Sequence, residues 1–187
     1  IRIFDLKDRE SGQEKLALLI GDVIEQKSKG DLAFRLADIY FHHMKDYAHA
    51  AAQDQFALSS GLDRTRQPSA WFYQAKSFEY VSMRQGSRDN SIKAKAIEAY
   101  DSLLQRFPAS EHTYEAQIAQ FNLKLGLAVS GTEARKLGTE FLSVFPNARR
   151  KDLPLFALAN SYRSSKLYGD AALAYKLILE KHPQSER

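Results

Sequence analysis

Hydrophobic residues recur along the chain with the spacing of amphipathic helices. Leu155, Leu158, Ala159 and Tyr162, for example, follow the i, i+3, i+4, i+7 pattern, which places them on one face of a helix. No segment alternates apolar and polar residues over a length that would indicate a β-strand. The pattern therefore predicts an all-α fold of about nine helices joined by short turns. The predicted helices span residues 11–28, 31–44, 46–60, 68–84, 91–107, 110–128, 132–145, 152–165 and 168–182.

One seventeen-residue phrase occurs twice in the chain. AIEAYDSLLQRFPASEH (96–112) and AALAYKLILEKHPQSER (171–187) share seven identical residues without a gap. Helix-ending phrases of an aromatic residue or His followed by Pro occur at Pro108, Pro146 and Pro183, and these prolines are 38 and 37 residues apart. A period of this size is typical of a repeated helix–turn–helix unit.

Breaks between the helices are predicted from capping residues and glycines. Ser, Thr and Asp residues are favoured at helix starts, and glycine at helix ends. One unit is longer than the usual repeat, and its extra residues centre on RQGSRDNS (84–91). This predicts an extended loop between the two helices of that repeat. The predicted starts are Asp31, Ser69, Ser110 and Thr132, and the glycines near breaks are Gly30, Gly61 and Gly131.

From about Asp31 to its end, the chain resembles the tetratricopeptide repeat family. The last unit matches eight motif positions (4, 7, 8, 11, 20, 24, 27 and 32) without an insertion, although Leu replaces the usual Trp and Ile the usual Ala. The earlier units match in part. The form A-x-x-x-Y-x-x-L-L-x-x-F-P-x-S is similar to repeats of bacterial envelope proteins, namely the outer-membrane-assembly lipoprotein and the periplasmic accessory protein of the Tol-Pal system. The eight matching residues are Leu155, Leu158, Ala159, Tyr162, Ala171, Tyr175, Ile178 and Pro183.

The resemblance implies a right-handed α-α superhelix, that is, a tetratricopeptide-like solenoid. Residues 1–187 are expected to form a single repeat domain that belongs to a longer chain, with a leading helix or half-repeat in residues 1–30. Small residues at positions 8 and 20 would let the two helices of a pair approach closely. The expected helix pairs span residues 31–67, 68–109, 110–147 and 148–187.

The resemblance also implies a function, because the family binds other proteins in a concave groove lined by the first helices of the pairs. A partner peptide or helix is therefore expected there, and no catalysis. The family's carboxylate clamp would need Lys and Asn at positions 5 and 9 of the first unit, where this chain has Phe34 and Asp38. An apolar or mixed binding mode is therefore expected, unless the aromatic residues pack against neighbouring helices instead. The groove residues implied are Phe34, Asp38, Phe41, Phe72, Lys76, Tyr80, Phe156, Asn160 and Arg163.

Composition narrows the alternatives. The chain has no cysteine, which excludes disulfides, thiolate catalysis and cysteine-ligated metal, and it shows no nucleophile–base motif. The net charge is +4, but the only dense basic cluster is Arg149-Arg150-Lys151, which disfavours nucleic-acid binding. His42, His43 and His49 diverge around a helix, which disfavours a metal site. No apolar run approaches the roughly 20 residues of a membrane span.

The sequence thus predicts a non-catalytic scaffold without cofactors, in the periplasm or cell envelope. Three alternatives remain open at this point. The repeats could mediate self-association of the chain, they could be the accessory part of a larger enzyme, and the compartment could be the cytoplasm.

Overall fold

The computed structural model describes residues 26–84, 90–143 and 152–181, and every regular element in these ranges is helical. This confirms the predicted all-α fold class. No strand occurs in the described residues. Helix α1 (Gln26–Asp38) continues into a π-helical turn, Ile39–Met44. The other helices are α2 (Tyr47–Ser59), α3 (Gln67–Arg84), α4 (Asn90–Arg106), α5 (Thr113–Leu127), α6 (Gly131–Ser143), α7 (Asp152–Ser164) and α8 (Tyr168–Lys181).

Apart from the start of α1, the observed helices lie within three residues of the predicted bounds in the described ranges. Most of the predicted helix 11–28 lies outside them, as do residues 85–89 of the predicted loop and the helix-ending residues Pro146 and Pro183. Gly61 follows the end of α2 with a positive φ of 80°, as its predicted position at a break requires. The superhelix and the four repeat boundaries remain predictions.

The chain divides into two compact units. Unit 1 comprises residues 1–113 and unit 2 comprises residues 114–187. The pairs α1/α2 and α3/α4 belong to unit 1, and the pair α7/α8 belongs to unit 2.

Buried alanines occupy equivalent places in the helix pairs. In the α3/α4 pair Ala75 and Ala96 are fully buried, and in the α7/α8 pair Ala159 and Ala171 are also buried. A methyl side chain projects only a short way from its helix, so that the backbones of two helices can approach closely. These are the small residues that the repeat pattern places at positions 8 and 20.

The tyrosine of the doubled phrase makes the same kind of hydrogen bond in both copies. The Tyr100 hydroxyl donates to Glu79 Oε2 at 3.0 Å, and the Tyr175 hydroxyl donates to Asn160 Oδ1 at 2.6 Å. Each bond joins the second helix of a pair to a polar side chain of its first helix. The repeated tyrosine is therefore structural, and only its partner differs.

Gly30 lies inside α1 and not at a break, so the predicted helix start at Asp31 is wrong. A Cβ at Gly30 would lie 2.7 Å from Leu62 N and 2.8 Å from Ser60 O. Because both of these are backbone atoms, only glycine allows α1 to approach the turn after α2 this closely. The glycine therefore marks a close contact between elements and not the end of a helix.

The π-helical turn at the end of α1 was also not predicted. It ends at Lys45, which adopts left-handed backbone angles (φ 55°, ψ 29°), and Asp46 then begins α2 by accepting a bond from the His49 amide. A π turn closes i→i+5 and so contains more residues than an α turn. Side chains beyond Ile39 therefore point in other directions than an α-helix would give them.

In unit 2, Gly138 of α6 lies against the aromatic ring of Tyr162 on α7. A Cβ at Gly138 would overlap the Tyr162 hydroxyl and lie 3.1 Å from Leu158 Cδ1. The same hydroxyl donates to Ala134 O at 3.4 Å. Burial, and next the charge of Asp170, raise the pKa of Tyr162, so the phenol is neutral at physiological pH.

Asp54 of α2 is an acidic residue in the core of unit 1. Its side chain is 1% exposed, and neither carboxyl oxygen has a hydrogen-bond partner in the described part of the chain. Burial raises the pKa of Asp54 well above its usual range, and the charge of Asp38 raises it further. Burial therefore favours the neutral form of this carboxyl group over the charged one.

None of the helices in the described ranges is both long enough and apolar enough to span a membrane.

We expect Gly138→Ala to lower the free energy of unfolding by about 1–3 kcal/mol, because the new methyl group overlaps the Tyr162 hydroxyl. In a Tyr162→Phe background the same change should cost less than half as much, since the hydroxyl is gone. Urea denaturation followed by circular dichroism measures both. Gly126→Ala is the control: its Cβ meets nothing within 4 Å, so it should stabilise α5 by about 1 kcal/mol. Equal costs in both backgrounds would contradict this packing.

We expect Asp54→Asn to flatten the pH dependence of stability. Because the pKa of Asp54 is higher in the folded state than the unfolded value of about 3.9, its contribution is complete below that value and is lost as pH rises towards the folded pKa. Within this window each pH unit costs about 1.4 kcal/mol of unfolding free energy. Urea denaturation at a series of pH values from 4 upwards should show this loss of stability in the wild type and not in the variant. Parallel pH profiles would contradict the buried neutral carboxyl group.

Candidate functional site: an aromatic surface on unit 1

Five ring side chains of the π turn, α2 and α3 form a contiguous set in unit 1. We call them the aromatic surface: Phe41, His42, Tyr47, Tyr73 and Tyr80. Phe41 is buried at the centre, His42 is exposed, and the three tyrosines are partly exposed. The set thus has an aromatic base with polar edges that reach solvent.

Direct ring contacts hold the aromatic surface in place. The Phe41 ring lies 5.3, 5.0 and 5.8 Å from the rings of Tyr47, Tyr73 and Tyr80, measured between centroids. Tyr47 stacks on Tyr80 at 4.5 Å, and His42 meets Tyr73 edge-on at 5.1 Å. Since each ring contacts at least one other, little rotamer freedom is left for a partner to remove.

A recess of about 360 Å³ adjoins the aromatic surface at Tyr47. Its lining includes Lys45, Asp46 and Arg84. The Arg84 guanidinium lies 4.6 Å from the centroid of the Tyr47 ring, and Arg84 Nη1 donates to Lys45 O at 2.9 Å. The recess therefore combines an aromatic wall with a positioned cation.

The ring contacts continue on α3 from Tyr73 to Phe72 and His112. Phe72 stacks on the imidazole of His112 at 4.4 Å and meets Tyr100 edge-on at 6.2 Å. A hydrogen bond of 3.1 Å joins His112 Nε2 and Ser69 Oγ. Residues just before α5 thereby cover Phe72.

The predicted groove residues of unit 1 have different positions in the structure. Tyr80 is part of the aromatic surface, Phe34 is partly buried against the core of α1 and α2, and Lys76 Nζ lies 5.8 Å from the Phe72 ring. Asp38 is exposed, with its carboxylate 3.6 Å from His42 Nε2.

Phe41 and Phe72 are both buried, so neither is an exposed anchor, and for these two the alternative in which aromatic residues pack against neighbouring elements is the one observed. Phe41 is covered by the rings of Tyr47, Tyr73 and Tyr80, which pack around it. For Phe72 the reason is the stacked imidazole of His112.

The predicted groove residues of unit 2 are Phe156, Asn160 and Arg163 on α7. Phe156 is partly buried and lies 6.1 Å from the Tyr175 ring. The Asn160 amide oxygen accepts the Tyr175 hydroxyl, so this side chain supports the helix pair. Arg163 is exposed at the end of α7.

Sequence reasoning missed Tyr47, Tyr73 and His112. Tyr73 lies next to a predicted groove residue, and its pairing with Tyr80 at i, i+7 is a signal that could have been found. Tyr47 and His112 lie at helix starts, and their contacts depend on how neighbouring elements pack.

No group of three or more His, Cys, Asp or Glu residues suited to a metal ion occurs in the described ranges. His49, a member of the histidine cluster, is bonded through its ring Nδ1 to Asp46 Oδ2 at 2.8 Å. Burial, and next the charge of Asp46, raise the pKa of the nearby Tyr40, so its phenol is neutral at physiological pH.

The aromatic surface can therefore bind apolar groups and accept or donate hydrogen bonds at its rim. In comparisons with known proteins, no family model matches the chain and no match is found among curated proteins.

Proposed function

We propose that this protein is a non-catalytic scaffold that binds a segment of a partner protein on the aromatic surface. The observation that carries the proposal is the contact of Tyr47, Tyr73 and Tyr80 around the buried ring of Phe41. Tyrosine combines a large apolar face with a polar tip, and it is enriched among residues that dominate interface energies.

The resemblance to tetratricopeptide repeats supports the same function. The buried alanines and the doubled tyrosine fit a unit that stacks, while the aromatic surface lies on residues that do not repeat. We include in this proposal a role in assembly of the bacterial cell envelope, in the periplasm, because the F-P-x-S phrase is similar to repeats of bacterial envelope proteins.

The aromatic surface leads us to propose a mixed apolar and polar mode of recognition. The partner would bury apolar side chains against Tyr73 and Tyr80, at roughly 25 cal/mol for each Å² removed from water before the costs of association. Arg84, positioned over Tyr47, would favour an acidic or carbonyl-rich end of the segment next to the recess.

We expect the double substitution Tyr73→Ala and Tyr80→Ala to weaken partner binding at least tenfold, because it removes two adjacent anchors. Immobilised wild-type protein and variants are compared for the proteins that they retain from a lysate of the producing cells. Phe56→Ala is the matched control, since Phe56 is an exposed aromatic of α2 outside the aromatic surface. Retention of the same partners by the double variant, with unchanged helicity, would refute the proposal.

Self-association is a second candidate function, and the exposed leucines of α8 favour it. Leu173 and Leu179 are 63% and 72% exposed, and Leu177, one turn beyond Leu173, is also exposed. Leucines 173 and 177 share one face of the helix. An apolar face of this kind is typical of a surface that packs against another element.

If α8 mediates self-association, Leu173→Gln combined with Leu177→Gln should shift the chain to monomer. Sedimentation velocity over a range of protein concentrations measures this, with Lys176→Gln on the same helix as control. A wild-type chain that stays monomeric at all concentrations would exclude self-association and leave the partner-binding proposal untouched.

A further inference from the structure

The recess beside Tyr47 is short along both elements that line it. On one side it is lined by residues 44–48, at the junction of the π turn and α2, and on the other by Val81 and Arg84 of α3. The step from Val81 to Arg84 rises only about 4.5 Å along the helix axis, which is less than one turn. The recess therefore contacts only one or two residues of a bound segment.

Hydrogen bonds fix the backbone on the π-turn side of the recess. The amides of Lys45 and Asp46 both donate to Tyr40 O, and the bond from Asp46 measures 2.9 Å. The carbonyl of Lys45 in turn accepts a bond of 2.9 Å from Arg84 Nη1 on α3. Lys45 and Arg84 therefore lie together at the recess, although they are 39 residues apart in the sequence.

Positive charge is in excess in the recess. Lys45 and Arg84 line it, and neither forms an ion pair with another residue of the described ranges. Asp46 is the acidic residue of the lining, but His49 already contacts both of its carboxyl oxygens. The His49 amide donates to Oδ1 at 3.2 Å, and the ring Nδ1 lies 2.8 Å from Oδ2. Two cations against one carboxylate leave one positive charge in excess.

A second recess of unit 1 lacks this excess. It lies between α2, α3 and α4, and we call it the cleft; Trp71 and Phe78 of α3 belong to its lining. Its charged residues are Lys95 and Glu98, whose charges cancel. Of these two recesses, the one beside Tyr47 is therefore the one that favours an anion.

The chemistry of Arg84 selects a carboxylate as this anion. Arg84 has N–H donors besides the one that Lys45 O accepts, and a planar guanidinium pairs with carboxylate oxygens through charge-assisted hydrogen bonds. The guanidinium lies 4.6 Å from the centroid of the Tyr47 ring, a cation–π contact that restricts the side chain before a partner binds. A carboxylate in the recess therefore meets donors that are already in position.

The recess is continuous with the aromatic surface, because Tyr47 belongs to both. The Tyr47 ring stacks on Tyr80 at 4.5 Å and has the Arg84 guanidinium beside it. From Tyr80 to Arg84 the axis of α3 rises about 6 Å, which is roughly the length of two residues in an extended chain. A segment with an apolar side chain on Tyr80 can therefore place a residue about two positions away in the recess.

We propose that the recess binds an acidic side chain of the partner segment, an aspartate or glutamate close in sequence to the apolar residues that lie on the aromatic surface. Its carboxylate accepts hydrogen bonds from the Arg84 guanidinium, and Lys45 adds a second positive charge. This inference rests on the proposed function, because one segment occupies both places.

Calorimetric titration of the full chain with end-blocked peptides tests the inference. SLSYLEEGS has two glutamates directly after its apolar residues, and SLSYLQQGS and SLSYLKKGS are its matched controls. We expect SLSYLEEGS to bind about fivefold more tightly than SLSYLQQGS, and SLSYLKKGS to bind more weakly than both, as partly exposed ion pairs predict. In about 1 M sodium chloride the preference should fall below twofold, since salt screens exposed charges.

A further peptide separates an acidic side chain from a terminal carboxylate. SLSYL with a free carboxyl terminus should bind no more tightly than SLSYLQQGS. Equal affinity for SLSYLEEGS and SLSYLQQGS, or tighter binding of free-ended SLSYL than of SLSYLEEGS, would overturn the inference and leave apolar binding on the aromatic surface intact. Absence of saturable binding of SLSYLEEGS up to millimolar concentration would also overturn it, whereas the proposed function is tested separately by the proteins retained from a lysate.

Variants assign the preference to the two cations. Arg84→Gln combined with Lys45→Gln should bind SLSYLEEGS and SLSYLQQGS equally, with the affinity for SLSYLQQGS unchanged. Lys45→Gln alone, at an exposed position, should lower the preference to about twofold even if Arg84→Gln folds poorly. Arg64→Gln is the control: it removes an exposed cation in the turn after α2 and should keep the preference of the wild type. A full preference in the double variant would overturn the inference. Tyr73→Ala with Tyr80→Ala should instead weaken all the peptides alike, and unchanged binding there would overturn it too.

Discussion

The close approach of paired helices through buried alanines is the constraint on which the rest of the structure depends. Ala75 and Ala96 are fully buried between α3 and α4, and Ala159 and Ala171 are buried in the pair α7/α8. With methyl groups at these places, the apolar contact between two helices comes from the larger side chains on either side of them. The hydroxyls of Tyr100 and Tyr175 can then reach across to the first helix of their own pair. The doubled phrase thus specifies the same packing arrangement in both helix pairs.

Much of this fold could be predicted, because the spacing of apolar residues within a helix is a local property of the sequence. Leu158, Ala159 and Tyr162, which define the predicted stripe of α7, are all buried. The predictions were wrong where contacts with residues distant in the sequence determine the local structure. Gly30 has the sequence signature of a helix break, yet the backbone atoms of Ser60 and Leu62 require a glycine inside a continuous helix. Whether a glycine ends a helix or admits a neighbour depends on that neighbour, which lies thirty residues further along the chain.

The site was less predictable than the fold for the same physical reason. The resemblance assigned Phe41 and Phe72 to a groove, but three tyrosine rings pack around Phe41 and the imidazole of His112 covers Phe72. The residues that do reach the surface, Tyr47 and Tyr73, gain their places through contacts with Phe41. A motif position gives the direction of a side chain in an ideal helix. Its exposure depends on the elements packed around it, and the motif does not encode these.

Helix α3 contributes residues to two recesses of unit 1, because seven residues complete almost two turns. At 100° per residue, Tyr73 and Tyr80 lie within about 20° of each other, and so do Trp71 and Phe78. Tyr80 lies nine residues beyond Trp71, which places the two on opposite sides of the helix axis. The aromatic surface and the cleft therefore share no residue of α3, whereas the recess beside Tyr47 and the cleft share Ala48 of α2. A single helix of this length thus presents two separate aromatic faces, one on either side of its axis.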